Sequence, residues 1–363
     1  MGVADDVRGR VVFFGAVHEA IAALDALLES PADVVGIVTY DVQFASRTAG
    51  SVDLGRIARE HGIPSFATGD SNSQELVSWV RDLAPDLIVC VGWTRLLKDE
   101  LLAVPRHGTI GFHASMLPHN RGRAPVNWAI IRGDQRAGNT MMMLNPGVDT
   151  GDIVDQRPVP IGPDDTCATV YAKVAEVGAQ MLRDHLPALL TGTAPRRPQP
   201  RDHDEPLLPK RTAAMGITSF DRSPREVHDW IRALTRPYPG AFAFLNDELV
   251  RLWRARPAAD TPTGLWPGTL LGVDGAGVLV ATKAGSVRLV EVQEDGQPAE
   301  PACAWFRRKG LRAGMRFTPV DRATLEWALG RGPAPAADSA PSGSAAAKPP
   351  LEGTQPPLEG ARP

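Results

Sequence analysis

The sequence predicts a doubly wound α/β domain followed by a small β-barrel. Three observations carry this fold class. In the first half, short apolar runs alternate with helix-period segments, the pattern of a mostly parallel sheet covered by helices. In the second half, short β-branched runs recur at close spacing with turn residues between them. The 363 residues, 43% hydrophobic and 22% charged, suffice for two cores.

Residues 11–15 (VVFFG) are an apolar run ending in glycine, as a buried parallel strand does where it meets a loop. A helical pattern covers 17–28, and a β-branched strand covers 34–39. Residues 52–61 read as a helix stopped by Gly62, 63–66 as a short strand, and 73–83 as a helix. Residues 86–91 (DLIVCV) are a third buried strand, and further strands are expected at 109–113, 140–144 and 153–159. A long amphipathic helix spans 165–186, with Pro187 as its stop or kink. Such sheets bind ligands beyond the carboxyl ends of their strands, which puts His113, after the run 109–112, near the ligand crevice.

These elements make a first domain of residues 9–193. Residues 194–206, rich in proline and charge and without a period, read as a linker. The second domain covers 207–318. Ser223-Pro224 starts a helix over 224–234, serine capping and proline in the first turn. Strands are expected at 241–245, 249–253, 269–273, 278–282 and 286–292, with turns such as Asn246-Asp247 and Asp274-Gly275 between several of them. Residues 331–363 are mostly Ala, Pro, Gly and Ser, contain Pro-Pro-Leu-Glu-Gly twice, and read as a disordered tail.

A formal net charge of −3 disfavours a protein held to nucleic acid mainly by phosphate contacts. Three scattered cysteines, Cys90, Cys167 and Cys303, make neither a disulfide framework nor a metal cluster, and fit a reducing cytoplasm. The N-terminus lacks a secretory signal pattern, and no stretch approaches the roughly 20 apolar residues of a membrane span. No metal, DNA or membrane partner is expected, and the oligomeric state stays open.

The densest polar punctuation lies in residues 113–152. His113 ends a strand candidate, and Asp149 sits in a Gly-Val-Asp-Thr-Gly turn after another. Loops at two strand ends can converge and pair an imidazole with a carboxylate for acid–base work. Each residue also has a structural reading, as a hydrogen-bonded histidine and a turn-forming aspartate.

His113, Ser115, Leu117, Pro118, Arg121, Gly122 and Pro125, then Gly138 and Thr140, then Asp149 and Gly151, occur in one order. With Arg232-Ala-Leu-Thr-Arg-Pro-Tyr-Pro-Gly-Ala-Phe242 and Pro209-Lys210-Arg211 downstream, the chain resembles the 10-formyltetrahydrofolate-dependent formyltransferases over residues 9–318. That family includes methionyl-tRNA formyltransferase and the amino-sugar-nucleotide N-formyltransferases. The resemblance implies a Rossmann-like formyltransferase domain, an OB-like C-terminal barrel, and 10-formyltetrahydrofolate as co-substrate. It implies His113 and Asp149 as catalytic residues. The family's third catalytic residue is an asparagine two positions before the histidine, and here that position is Gly111. Glycine offers no side-chain donor, and losing one oxyanion donor costs roughly 10²–10³ in rate. Asn120, Asn127 and Asn139 are candidate replacements. A catalytically altered or inactive homologue that binds folate or a metabolite is therefore one alternative function.

By the same resemblance, Gly92, Trp93, Thr94, Arg95 and Leu96 would contact the folate, with Leu117 and Pro118 framing the site. Trp93 either stacks on the ligand or fills the core. Ser115, Arg121, Gly122 and Asn127 are candidate substrate contacts, Arg121 meeting an anionic group or bracing its loop. Residues 40–51, where the tRNA enzymes carry a basic insertion, hold a single basic residue, Arg47. The cluster Arg307-Arg308-Lys309 reads as a solvated turn. The Arg-Ala-Pro and Asn-Trp of residues 122–128 look closer to the amino-sugar enzymes. The expected acceptor is thus a small-molecule amine, an amino-sugar nucleotide or a specialised-metabolite amine. Methionyl-tRNA is the alternative.

Overall fold

The computed structural model describes residues 8–200, 204–258 and 264–335. The repeated pentapeptide of the expected tail lies outside the described residues. Seven strands form the N-terminal sheet: β1 (Arg10–Gly15), β2 (Asp33–Thr39), β3 (Ser65–Ala67), β4 (Leu87–Val91), β5 (Thr109–His113), β6 (Arg136–Met143) and β7 (Ile153–Pro160). Their order is β3-β2-β1-β4-β5-β6-β7, parallel from β3 to β5 and antiparallel across β5-β6-β7. The strand order reverses between β1 and β4, whose ends Gly15 and Val91 stand in register. A crevice opens at such a switch point.

Helices cover both faces, so every residue of β4 (LIVCV) is buried. On one face, α1 (Glu19–Leu28), α3 (Leu54–Glu60) and α7 (Cys167–Leu190) pack Leu24, Leu27, Leu54, Met181 and Leu182 against Phe13, Leu87 and Ile110. Between them, α2 (Val42–Ala45) is a single turn above β2. On the other face, α4 (Gln74–Asp82) and α5 (Asp99–Leu102) pack Leu76, Val77, Val80 and Leu101 against Phe14 and Ile88. Each fully buried side chain of this size contributes about 1.5–3 kcal/mol. Pro187 does not stop α7, which continues to Leu190. Leu186, Leu189 and Leu190 are all buried, and their packing holds the last turn despite the missing proline N–H.

α6 (Pro125–Arg132) lies between β5 and β6 in chain order, and the first α-helix of the C-terminal part is α8 (Pro224–Leu234). Ser223 and Glu226 form a capping box at the start of α8. The sheet of this part is antiparallel, in the order β10-β11-β12-β9-β8, with β13 on β12. The strands are β8 (Ala241–Leu245), β9 (Glu248–Ala258), β10 (Leu270–Val273), β11 (Val278–Thr282), β12 (Gly285–Glu294) and β13 (Glu300–Pro301). Residues 315–318 join the two outer strands. Met315 accepts from Leu270 N at 2.7 Å, and Thr318 N donates to Phe244 O at 2.8 Å. The sheet therefore closes on itself around Trp305 of α9 (Ala302–Arg308) and Phe317, as a barrel must. A further helix, α10 (Arg322–Ala328), capped by Asp321, was absent from the sequence expectation.

One arginine joins the two parts. The Arg211 guanidinium lies 4.6 Å from the ring centroid of Trp128 on α6 and 4.8 Å from that of Trp230 on α8. It donates to Ala328 O and Met215 O. Burial pushes its pKa down to about 10, so it stays charged at neutral pH, met by two ring faces and two carbonyls. Arg211→Lys keeps the charge but loses the planar stack and the fork, and should lower the unfolding free energy by about 1–2 kcal/mol. A drop in the urea midpoint at unchanged m-value measures this.

Candidate active site

The site is built at the end of β5. Side chains alternate along a strand, so Gly111 and His113 face the same side. After His113 the chain lies back on β6 and β7. Thr140 Oγ1 donates to Ser115 O at 2.7 Å, and Gln156 Nε2 donates to Leu117 O at 2.6 Å. The Ser115 hydroxyl donates to His119 O at 2.7 Å, closing the turn that carries the Leu117–Pro118 peptide. Ser115 is 3% exposed, so its hydroxyl shapes the loop.

His113 and Asp149 are brought together. His113 Nδ1 stands 3.5 Å from Asp149 Oδ1, with the side chains 8% and 19% exposed. Nε2 is 2.8 Å from Asn120 O. A carbonyl only accepts, so Nε2 carries the hydrogen and Nδ1 is the nitrogen turned to the carboxylate. The second carboxylate oxygen, Oδ2, accepts from Gly122 N at 2.8 Å. Asp149 holds a left-handed backbone with φ 53°, and Gln199 Nε2 pins it by donating to Asp149 O and Gly151 O at 2.9 and 2.8 Å.

Two of the residues that support these loops, Gln199 and Glu205, lie in the stretch read as a linker, and Leu208 follows just after it. Besides Gln199, Glu205 accepts from Asn120 N at 3.3 Å and lies 3.0 Å from His119 Nδ1. Leu208 bridges in parallel with Gly122, and Leu208 N donates to Arg121 O at 2.7 Å. Gln199, Glu205 and Leu208 thus bond to the loops that carry His113 and Asp149. The irregular composition of the stretch signals none of this, because the partners of Gln199 and Glu205 lie 50 and 85 residues away in sequence.

Gly111 is buried in the sheet, opposite Cys90 on β4 and Met142 on β6. Burial pushes the Cys90 thiol up to about 12, which removes it as a nucleophile. Two of the three candidate replacement amides are engaged elsewhere. Asn127, buried, donates to Ala233 O at 2.6 Å and accepts from Tyr171, joining α6 to the C-terminal end of α8. Asn139 donates to Val174 O at 2.8 Å on α7. Asn120 Oδ1 accepts from Arg132 at 2.6 Å, while the Asn120 backbone serves His113.

The loop after β4 is equally anchored. Gly92 has φ 61°, and a Cβ there would collide with Val17, so only glycine fits this close approach. Trp93 donates to Ser71 Oγ at 3.0 Å and packs on Phe14 and Tyr40, which makes it a packing residue of the loop. Thr94 bonds the Tyr40 hydroxyl through Oγ1 and N, and Arg95 donates to Gly69 O over the Phe44 ring. Leu96 is 54% exposed, and Asn72 donates to its carbonyl. Gly92 thus brings its backbone close to Val17, and Leu96 presents exposed apolar surface in the loop after β4. Leu117 is 3% exposed, under the loop. Among the described residues no group of three or more His, Cys, Asp or Glu could hold a metal ion, and no helix is long and apolar enough to cross a membrane.

Comparison with known proteins shows the family. The formyl transferase family model matches residues 9–186, and that of the formyl transferase C-terminal domain matches residues 210–310. The chain is 34% identical over 317 residues to methionyl-tRNA formyltransferase of Geobacter sulfurreducens, covering 86% of this chain and 96% of that one. It is 33% identical over 311 residues to methionyl-tRNA formyltransferase of Myxococcus xanthus, 85% and 98% of the two chains. Among solved structures, the N-formyltransferase of Helicobacter canadensis in complex with folinic acid and dTDP-3-aminofucose has a TM-score of 0.60 at 16% identity, covering 78% and 98%. HypX from Aquifex aeolicus in complex with tetrahydrofolic acid has a TM-score of 0.58 at 18% identity, covering 86% and 49%. At these identities the structures establish a shared fold.

Proposed function

Because the chain belongs to the formyl transferase family, which draws on 10-formyltetrahydrofolate, we propose that its acceptor is the amino group of a methionyl-tRNA. The single observation that carries this acceptor is the match over 96% of a methionyl-tRNA formyltransferase. The folate supplies the formyl carbon, beside Gly92 and Leu96. His113 and Asp149 act on the incoming amine. As the amine nitrogen bonds to the formyl carbon, its proton passes to Nδ1 of His113, beside the Asp149 carboxylate. It is returned to the folate nitrogen as the old C–N bond breaks. The bond to Asn120 O keeps the ring in the tautomer this needs. The reading places the reaction in the cytoplasm.

A second reading, a small amine such as an amino-sugar nucleotide or a specialised-metabolite amine, draws support from charge. Residues 40–51 carry only Arg47. On the barrel, Arg251 pairs with Asp295, Arg288 with Asp274, and Arg308 and Lys309 with Glu294. Cations already paired with carboxylates are poor phosphate ligands.

Filter binding separates the two. A methionyl-tRNA acceptor predicts binding to initiator-type tRNA that weakens about 10-fold or more between about 50 and about 200 mM salt. Absence of tRNA binding at the lower salt, with folate released in the presence of an amino-sugar nucleotide, would replace it by the small-amine reading.

A further inference from the structure

We propose that Leu144 is a rate-determining positioning residue: it fills the seat of the missing amide and makes the oxyanion side of this site an apolar wall. The inference rests on the formyl-transfer reading and concerns how this chain carries it out. A Cβ built on Gly111 would stand 2.5 Å from Leu144 Cδ2, 2.9 Å from Cγ and 3.1 Å from Cδ1. Rotation of one methyl group does not clear it, because Cγ is also too close. The whole side chain would have to leave.

Leu144 has little freedom to leave. Its backbone N donates to Thr109 O at 2.7 Å. Its side chain packs with buried Leu117, Met142 and Ile153, and also touches the cluster around Phe14 and Ile88. Gly111 is fixed on its other side by the parallel register with Cys90. The direction of the Cβ at position 111 is set by the pleat, toward the face that carries His113. Glycine at 111 and leucine at 144 are therefore one coupled choice. Asn127 and Asn139 are bonded elsewhere. The charge that grows on the formyl oxygen during attack accordingly faces the imidazole of His113 and apolar surface, with no strand amide. Restoring asparagine at 111 alone is then insufficient, and Leu144 must also be cut back.

Two double-mutant cycles test this. The first compares the wild type with Gly111→Asn, Leu144→Ala and the pair. The second uses Gly111→Ala in place of Gly111→Asn and keeps the steric test alive should the asparagine variants fold poorly. We expect Gly111→Asn and Gly111→Ala each to lower Tm by about 3–8 °C in the wild-type background, and by far less when residue 144 is alanine. With 10-formyltetrahydrofolate as donor and hydroxylamine as probe nucleophile, Gly111→Asn should turn over more slowly than wild type. The pair Gly111→Asn, Leu144→Ala should exceed wild type by about 10-fold or more in kcat, with the KM for folate little changed. Additive Tm changes in both cycles would overturn the steric claim. A coupled Tm with no gain in kcat would overturn the claim on rate. Calorimetric titration with tetrahydrofolate stands apart: no binding by the wild type defeats the formyl-transfer reading itself, while the Tm cycles still decide whether Leu144 fills the seat.

Discussion

Replacing His113 with glutamine should lower kcat for formyl transfer by about 10²–10⁴-fold, the range of a positioned acid–base group. Tetrahydrofolate binding measured by calorimetry should stay near the wild-type value. The argument is geometric. Nε2 is committed to Asn120 O, and Nδ1 is the nitrogen beside Asp149. Glutamine can imitate the donor to Asn120 but cannot hold and return a proton. The loop after β4, to which the proposed function assigns the folate, is anchored to Ser71, Tyr40 and Asn72, while His113 is bonded to Asn120 and faces Asp149, so binding and chemistry should separate. A His113→Gln variant with wild-type kcat would show that the pair is not the proton carrier.

The second large effect is expected at Gly122. Its φ is 109°, a region that side-chain-bearing residues rarely adopt, and a Cβ there would stand 2.6 Å from Leu208 O and 2.7 Å from Leu208 N. Both obstacles are backbone, so neither can rotate away. Gly122→Ala should cost about 1–3 kcal/mol from the backbone conformation alone. Relief requires the loop to separate from Leu208, which withdraws the Gly122 N–H from Asp149 Oδ2. A displacement of about 1 Å at such a carboxylate costs roughly 10²-fold in rate. Thermal unfolding should show the stability loss, and kcat should fall while the KM for folate holds. Unchanged Tm and kcat would mean that the bridge to Leu208 does not constrain the loop.

The sheet and the approach of His113 to Asp149 were legible in the sequence for local reasons. Residues 86–91 read as a buried strand from a short apolar run, and His113 and Asp149 each sit at a strand end or turn that a short window can recognise. The helix at 224–234 was legible because Ser223 and Pro224 mark its start. Other features escaped because their partners are remote. Asn127 has the appearance of any helical polar residue, yet its amide is spent on Ala233, 106 residues away. Gln199 and Glu205 lie in a stretch whose composition suggests a tether, and only the folded chain lays them along the loops they support. Pro187 looked like a helix end because the rule concerns the backbone, whereas three buried leucines around it settle the matter. Leu144 looked like an ordinary strand end, since nothing in a linear reading shows that it stands over Gly111.

The bonding of Gln199, Glu205 and Leu208 to the loops around His113 and Asp149 has a consequence for anyone wishing to take this molecule apart. A cut at the obvious composition break would remove the crosspieces that square the histidine's frame, leaving a half whose strands are intact and whose reactive corner is unbraced. Recombination with a different barrel should therefore carry the seam past Arg211, so that the bracing travels with the half it serves.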